Sequence, residues 1–479
     1  MFPGDILLQI FDFCCPEVRV SRSRYENFYN WWHGLVHVCQ RWRQLIFTSP
    51  RRLNLQLLCT DKIPTRKTLD CWPQFPIAIE ISSLDSLSPT QEDNLLTAFK
   101  HSDRVCSVTL RITLKQLELV VKMMLKPFPA LTHLRITYTS GPPDTWILRS
   151  LPSGFLGGPT SGLQELDLSG MSPPTSPSIL SSTSDLIYLR LRTSFMNDHV
   201  SPEAMVERLA GMSKLKSLTI EFQYPTPPPT WNFRARAILP SLTQFQFRGD
   251  YRYLEDLVAQ LDTPRLFDLT VIVMNTMADC SGVKQNPQLF LFIDRAEDLK
   301  LSQFRRARAK IHNSHCSIHF DDVQSGQCST YLTLGQEYNN SVWPMGALLS
   351  QASAITSSVH HLSFAPSDRM RRDIYRKHAG LLSLLRSFDS VETLHVGGHF
   401  TNVFPPMLNH LSDELVAELL PALRLVNFEG KPLKLAKTRK LAPFIKKWQF
   451  IGHPPLTIVR TCKDFEMLRA LSDMEDRYP

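Results

Sequence analysis

The sequence predicts an α/β chain in two parts: a short all-helical module at the N terminus, then an irregular array of repeated strand and helix units. Apolar residues recur at helical spacing in two stretches of the first fifty positions. Beyond them a strand-like triplet, apolar at its first, fourth and sixth places, returns along the rest of the chain. With 43% hydrophobic and 20% charged residues in 479, the chain has the balance that buries a substantial core.

In the N-terminal part, Ile6, Leu7, Ile10 and Phe11 recur at helical spacing from Pro3 to Phe13, and Pro3 stands where a first helical turn tolerates it. The polar stretch from Pro16 to Asn30 predicts a connecting loop. A second helix is predicted over Trp31 to Phe47, where Trp32, Leu35, Val36, Cys39, Trp42, Leu45 and Ile46 recur every three or four residues before Ser49 and Pro50 stop it. So small a module supplies only a marginal core. Part of its apolar surface, the tryptophans included, is therefore expected to meet a partner, with helix-in-groove docking as the fitting mode. The alternative is that these helices cap the following array and bury their apolar faces against it.

The array is read from its triplets. Val105-Val108-Leu110, Leu131-Leu134-Ile136, Leu163-Leu166-Leu168, Leu186-Leu189-Leu191, Leu215-Leu218-Ile220, Leu242-Phe245-Phe247 and Leu266-Leu269-Val271 form a first set. Ala296-Leu299-Leu301, Val359-Leu362-Phe364, Val391-Leu394-Val396 and Leu423-Val426-Phe428 extend it. At this composition the pattern alone arises at about 8% of starting points, so spacing carries the weight. Successive starts lie 23 to 32 residues apart, except for 63 between Ala296 and Val359, close to the period of leucine-rich repeats with insertions. Three units are entered through one phrase: Pro129-Ala130-Leu131, Pro240-Ser241-Leu242 and Pro421-Ala422-Leu423.

Three leucine-sized side chains contribute roughly 5–9 kcal/mol on burial, whereas ordering about 25 residues costs at least ~25 kcal/mol. Single units therefore need stacked neighbours. The asparagine or cysteine expected after a leucine-rich-repeat strand is missing, since Leu166-Asp167-Leu168 continues as Ser169-Gly170-Met171. The expectation is an irregular leucine-rich-repeat-like solenoid over 101–435, after a helical module over 1–60 and a connecting segment over 61–100 holding Pro64, Pro73 and Pro76, with a C-terminal cap and tail over 436–479. An ordinary α/β domain with several parallel strands is the competing reading. Alternate strand residues face outward and would form a continuous polar face for protein recognition: His133 and Arg135, Glu165 and Asp167, Tyr188 and Arg190, Ser217 and Thr219, Gln244 and Gln246, His361 and Ser363, Thr393 and His395.

Pro3-Gly4-Asp5-Ile6-Leu7-Leu8-Gln9-Ile10-Phe11, followed by Leu35-Val36-His37-Val38-Cys39-Gln40-Arg41-Trp42-Arg43, resembles the two halves of the F-box in their order. It departs from that pattern in starting almost at Met1, in having Phe2 where leucine is usual, and in the length of the 16–30 segment. The resemblance implies docking onto the Skp-family adaptor of a cullin-RING ubiquitin ligase. Pro3, Ile6, Leu7, Ile10 and Phe11 would line the adaptor contact, and Val38 and Trp42 would support the helical core beneath it. It also implies that the polar strand face receives a target protein, making the chain the substrate receptor of an SCF-type ligase. The rival expectation is a repeat scaffold that binds protein or nucleic acid without a ligase link.

Other classes find little support. The longest apolar runs, Leu269 to Met274 and Leu289 to Ile293, fall far below the roughly 18–20 residues of a membrane span. Asp5 and Asp12 interrupt the N-terminal apolar pattern, so no secretory signal is read and an intracellular place, cytoplasmic or nuclear, is expected. Ten scattered cysteines without a CxxC predict reduced, mostly buried thiols. The net charge of +8 is spread widely, with clusters at Arg305, Arg306, Arg308 and Lys310 and at Arg369, Arg371 and Arg372. Nucleic acid is not expected as a partner, because Glu165, Asp167 and Glu221 intersperse the outward positions.

No phosphate-cradling, nucleophile-elbow or zincin motif occurs, so neither an enzyme nor a cofactor is expected. His312, His315, Cys316, His319 and Cys328 have zinc-binding chemistry but no standard spacing, and no metal is assigned. Ser169 to Asp185 and Tyr224 to Thr230, dense in serine, threonine or proline, predict exposed loops, the first with Ser172 and Ser176 before prolines.

Overall fold

The computed structural model describes residues 2–15, 31–50, 52–60, 63–82, 87–138, 151–152, 154–157, 162–171, 183–193, 200–222, 236–274, 288–301, 304–311, 315–321, 331–337, 349–350, 352–366, 378–397, 400–429 and 441–461. The expected loops at 16–30 and 224–230, most of the serine-rich one, the arginines at 369–372 and most of the tail lie outside them. The chain divides into two compact units, Met1–Val200 with Glu207–Leu215, and Ser201–Val206 with Lys216–Pro479. Each is mixed α/β on a parallel-dominated sheet. Among the described residues no helix is long and apolar enough to cross a membrane.

The first unit opens with α1 (Gly4–Cys14), α2 (His33–Val36) and α3 (Gln40–Thr48). The single helix expected over Trp31 to Phe47 is thus two. Cys39 adopts extended backbone, φ −159° and ψ 167°, and starts α3 as its N-cap, while Arg43 Nε reaches back 2.9 Å to the carbonyl left open at Val36.

Six strands follow in chain order: β1 (Leu57–Thr60), β2 (Ile77–Ser82), β3 (Val105–Ile112), β4 (His133–Tyr138), β5 (Glu165–Ser169) and β6 (Tyr188–Thr193). Each runs parallel to the next, which requires a crossover at every step. Helices Thr65–Cys71, Pro89–Phe99 and Leu114–Met123 supply the first three. The second is fixed by a reciprocal cap in which Ser88 and Gln91 bond one another's backbone N–H, with Pro89 where its missing donor costs nothing. The segment expected to be a connector over 61–100 therefore holds a strand and two helices.

The second unit carries β7 (Ser217–Phe222), β8 (Ala237–Ile238), β9 (Gln244–Gly249), β10 (Leu261–Asp262), β11 (Asp268–Val273), β12 (Arg306–Ile311), β13 (His315–Asp321), β14 (Tyr331–Glu337), β15 (His361–Pro366), β16 (Thr393–Val396), β17 (Leu425–Glu429) and β18 (Thr457–Thr461). Its sheet has the order β7-β9-β11-β14-β13-β12-β15-β16-β17-β18, and β8 pairs with β10 separately. All its pairings are parallel except those of β13, which runs antiparallel to both neighbours.

Every predicted triplet lies on or leads into a strand except Ala296-Leu299-Leu301, which runs into the helix Glu297–Leu301. The 63-residue gap is filled by β12, β13 and β14 instead. The fourth and sixth triplet residues form continuous apolar rows in register. Leu134, Leu166 and Leu189 make one row of the first unit, and Leu218, Phe245, Leu269 and Leu332 one of the second. All are buried, and each leucine-sized member contributes about 1.5–3 kcal/mol. Where the asparagine of a regular repeat is missing, Gly170 turns the chain at φ +79°, and a Cβ there would stand 2.9 Å from the Tyr138 carbonyl oxygen.

Candidate docking surfaces

The N-terminal helices divide their apolar residues between two sides. Leu7, Leu8 and Phe11 of α1 point inward with Trp32, Val36 and Ile46, and this core continues into Leu53, Leu55, Leu57 and Phe75 at the start of the sheet. Phe11 sets its ring edge-on to Trp42 at 4.9 Å, and Trp32 meets Trp72 at 5.0 Å and Phe75 at 5.5 Å. Of the tryptophans expected to need a partner, Trp32 is thus housed by the chain itself, and Trp31 and Trp42 are partly buried against the same core. Leu7 and Phe11, expected on the adaptor contact, are buried, because the α1 side that carries them is the one that seals this joint core.

On the other side Ile6 and Ile10 remain 41% and 40% exposed, flanked by Phe2 at 64% and Phe13 at 91%, and Pro3 is exposed beside them. Val38, expected beneath the surface, is exposed because the extended backbone at Cys39 breaks the helix there. Trp42 is partly buried against the joint core. The result is an apolar strip on α1, with Ile6 and Ile10 about one turn apart, on a helix whose opposite side is already committed.

Across β4, β5 and β6 the polar face of the first unit's sheet carries a set of ion pairs. Arg135 donates from Nη2 to Glu165 Oε1 at 2.7 Å and lies 3.3 Å from Asp167 Oδ2 through Nε. Arg190 Nη1 approaches the same Asp167 oxygen at 3.5 Å, and Ser169 Oγ donates to Asp167 Oδ1 at 2.8 Å. Opposite charges on adjacent strands pair because the parallel register sets Arg135 beside Asp167 and Asp167 beside Arg190. These four residues, singled out as target contacts, bond to each other. His133 Nδ1 shares a 2.8 Å hydrogen bond with Thr132 Oγ1, and Tyr188 stands half exposed at the end of the row. No protein-family model matches this chain, and no curated protein matches it.

On the second unit's sheet the outward row begins Ser217, Gln244, Asp268, Tyr331 and Asp321, in register. Gln244 is exposed and Gln246 partly so. Asp268 was not anticipated: burial pushes its carboxyl up from the ordinary 3.8 to about 6. Because the folded pKa is the higher one, the native state holds a proton that the unfolded chain gives up between about pH 4 and 6, so this residue's contribution falls as pH rises through that window. Asp268→Asn is expected to raise stability at pH 7 by on the order of 2–3 kcal/mol, at about 1.4 kcal/mol per pH unit, and to leave it unchanged below about pH 3, where the carboxyl is protonated in both states. Urea unfolding at the two pH values checks this, and an equal effect at both would refute the assignment.

Further along, Arg306 pairs in register with His361, Arg308 with Ser363, and Ser363 with His395. Asn427 Nδ2 lies 3.1 Å from His395 Nδ1. Of the zinc-type cluster, Cys316 and His319 sit on opposite faces of β13. Cys316 is buried, its thiol pushed up to about 12, whereas His319 bonds Thr333 Oγ1 at 3.0 Å and Ser317 Oγ at 3.2 Å. Strand alternation keeps the two from converging. His312 and Cys328 lie outside the described residues, as does the His315 side chain. Of the thiols expected to be buried, Cys59, Cys106 and Cys316 are, whereas Cys14, Cys39 and Cys71 are exposed.

Proposed function

We propose that this chain is the substrate-recognition subunit of an SCF-type cullin-RING E3 ubiquitin ligase, holding the Skp-family adaptor through α1 and a target protein through the polar strand face of a leucine-rich-repeat-like array. The observation that carries this reading is the apolar strip of Phe2, Ile6, Ile10 and Phe13, left uncovered on a helix that follows the F-box pattern. The chain performs no chemistry in this scheme. It raises the effective concentration of target lysines near the charged ubiquitin carrier.

The test is co-purification of the full chain with a Skp-family protein and cullin. Ile6→Asp/Ile10→Asp is expected to weaken adaptor binding at least tenfold with an unchanged melting temperature, since central apolar anchors dominate such interfaces. Failure of the intact protein to pair, or full retention by the double variant, rejects the interface.

A second reading, a scaffold without a ligase link, is favoured by the core that Leu7 and Phe11 share with Leu57 and Phe75. It predicts no adaptor pairing. For a nucleic-acid version it predicts affinity that falls steeply with salt.

A further inference from the structure

The second unit leaves one side of its last strand open. Among the described residues β18 pairs with β17 alone, in an unbroken parallel register from Leu425 beside Thr457 to Glu429 beside Thr461. Thr457 N donates to Arg424 O at 2.8 Å. In a parallel ladder the N–H and C=O of one residue point the same way and those of the next residue point oppositely. Thr457, Val459 and Thr461 are therefore bonded to β17, while Ile458 and Arg460 each hold a donor and an acceptor outward. Natural sheet edges are blunted by proline, lysine, a bulge or a covering element. Between Thr457 and Thr461 there is no proline and no bulge, and Arg460 is the one charge. The apolar row Leu394, Val426, Ile458 ends here. Its first two members are buried, whereas Ile458 is only partly so and the adjacent Val459 is 37% exposed. In contrast β1 is buried at all four residues, with Leu57 inside the core that the N-terminal helices share.

We propose that the open side of β18 pairs with the same strand of a second copy of this chain, antiparallel about a two-fold axis at Val459. The inference is independent of the ligase reading. What selects a second copy is self-complementarity, the requirement of an interface that uses one surface on both partners. With Val459 opposite its mate, Ile458 stands opposite Arg460 and Thr457 opposite Thr461. Ile458 and Arg460 are the residues whose backbone groups face outward, so each such pair exchanges both of its hydrogen bonds. Val459, already bonded to β17, falls in the non-bonded pair, where side chains approach most closely. No two charges meet, and every pair except Ile458 with Arg460 joins β-branched residues, which suit a sheet.

The size of the contact sets its strength. Two strands of 5 residues bury less than the roughly 1,200–2,000 Å² of a standard interface, and both copies carry a net charge of +8 that opposes their approach. The pairing is therefore weak and reversible. An extended peptide from another protein would use the same outward donors, but it would require a second component, whereas self-pairing occurs in the purified chain alone.

The experiment is sedimentation equilibrium of the purified full-length chain at concentrations up to roughly 100 μM, the weak end of specific association, with hydrogen exchange run alongside. A mass rising from monomer towards dimer is expected, together with at least tenfold slower exchange of the Ile458 and Arg460 amides and an unchanged rate at Val459. Ile458→Pro removes an outward donor and leaves the bonds to β17, as an edge strand tolerates. Val459→Lys sets like charges face to face on the axis. Each is expected to weaken association at least tenfold. Melting curves at low concentration confirm folding, and either variant suffices if the other fails to fold. A monomer mass throughout, a dimer equally stable in the folded variants, or a dimer whose exchange slows elsewhere with Ile458 and Arg460 unchanged overturns the proposal.

Discussion

Trp32→Ala is expected to lower unfolding free energy by about 3–5 kcal/mol, the range for deleting a large buried aromatic side chain. Trp32 is fully buried and touches Phe47, Trp72 and Phe75, so its loss opens a cavity where α2 and α3 meet the residues around β1. Urea denaturation is the measurement, read as a lowered midpoint with an unchanged slope. A loss below about 1 kcal/mol would mean that this core adds little and that the helices hold to the sheet by other contacts. Such a result would also restore the expectation that the module's aromatic residues serve a partner.

The second large effect belongs to Phe247. Its ring is buried in the row Ile220, Phe247, Val271, Leu334 and stacks on Tyr253 at 6.1 Å with an 11° interplanar angle. Gly249 leaves room for it, since a Cβ there would approach the Phe247 ring to 3.1 Å. Phe247→Ala is expected to cost about 3–5 kcal/mol, and Phe247→Leu below about 1.5 kcal/mol if the row repacks. Thermal and urea unfolding of the two variants separate these values. Equal costs would show that ring stacking, not filled volume, governs the site.

The parallel strands were legible because both fourth and sixth triplet residues must be apolar when a strand is flanked by like strands and covered on one side. Leu166 and Leu168 show this rule directly. It fails on β12, whose inward residues begin with Ala307 and Ala309, too small to stand out among the flanking arginines. The alternation of Arg306, Arg308 and Lys310 with small apolar residues is the period-two signal that would have marked this strand. At β2, Ile77, Ile79 and Ile81 alternate cleanly, but Pro73 and Pro76 just before them are the punctuation of a connector.

In α1 the helical period was clear while its inward side was not. Ile6 and Ile10 lie one residue before Leu7 and Phe11, about 100° round the helix, so both pairs fit one broad apolar stripe. Tertiary packing decides which pair is covered. The ion pairs of Arg135, Glu165, Asp167 and Arg190 were likewise unreadable before register was known, since register alone makes them neighbours.

The reversal at β13 has a consequence for how the chain is made. In the second unit Asp268 of β11 pairs with Tyr331, 63 residues later, because β14 rather than β12 takes the adjoining place. At ribosomal rates of about 5–20 residues per second, the far edge of β11 waits roughly 3–13 s for its partner to emerge. Meanwhile β12, β13 and β14, paired across short connections, can close on one another as they leave the tunnel. Nascent chains ending between these points expose an unprotected strand edge, the species on which cellular holdases act.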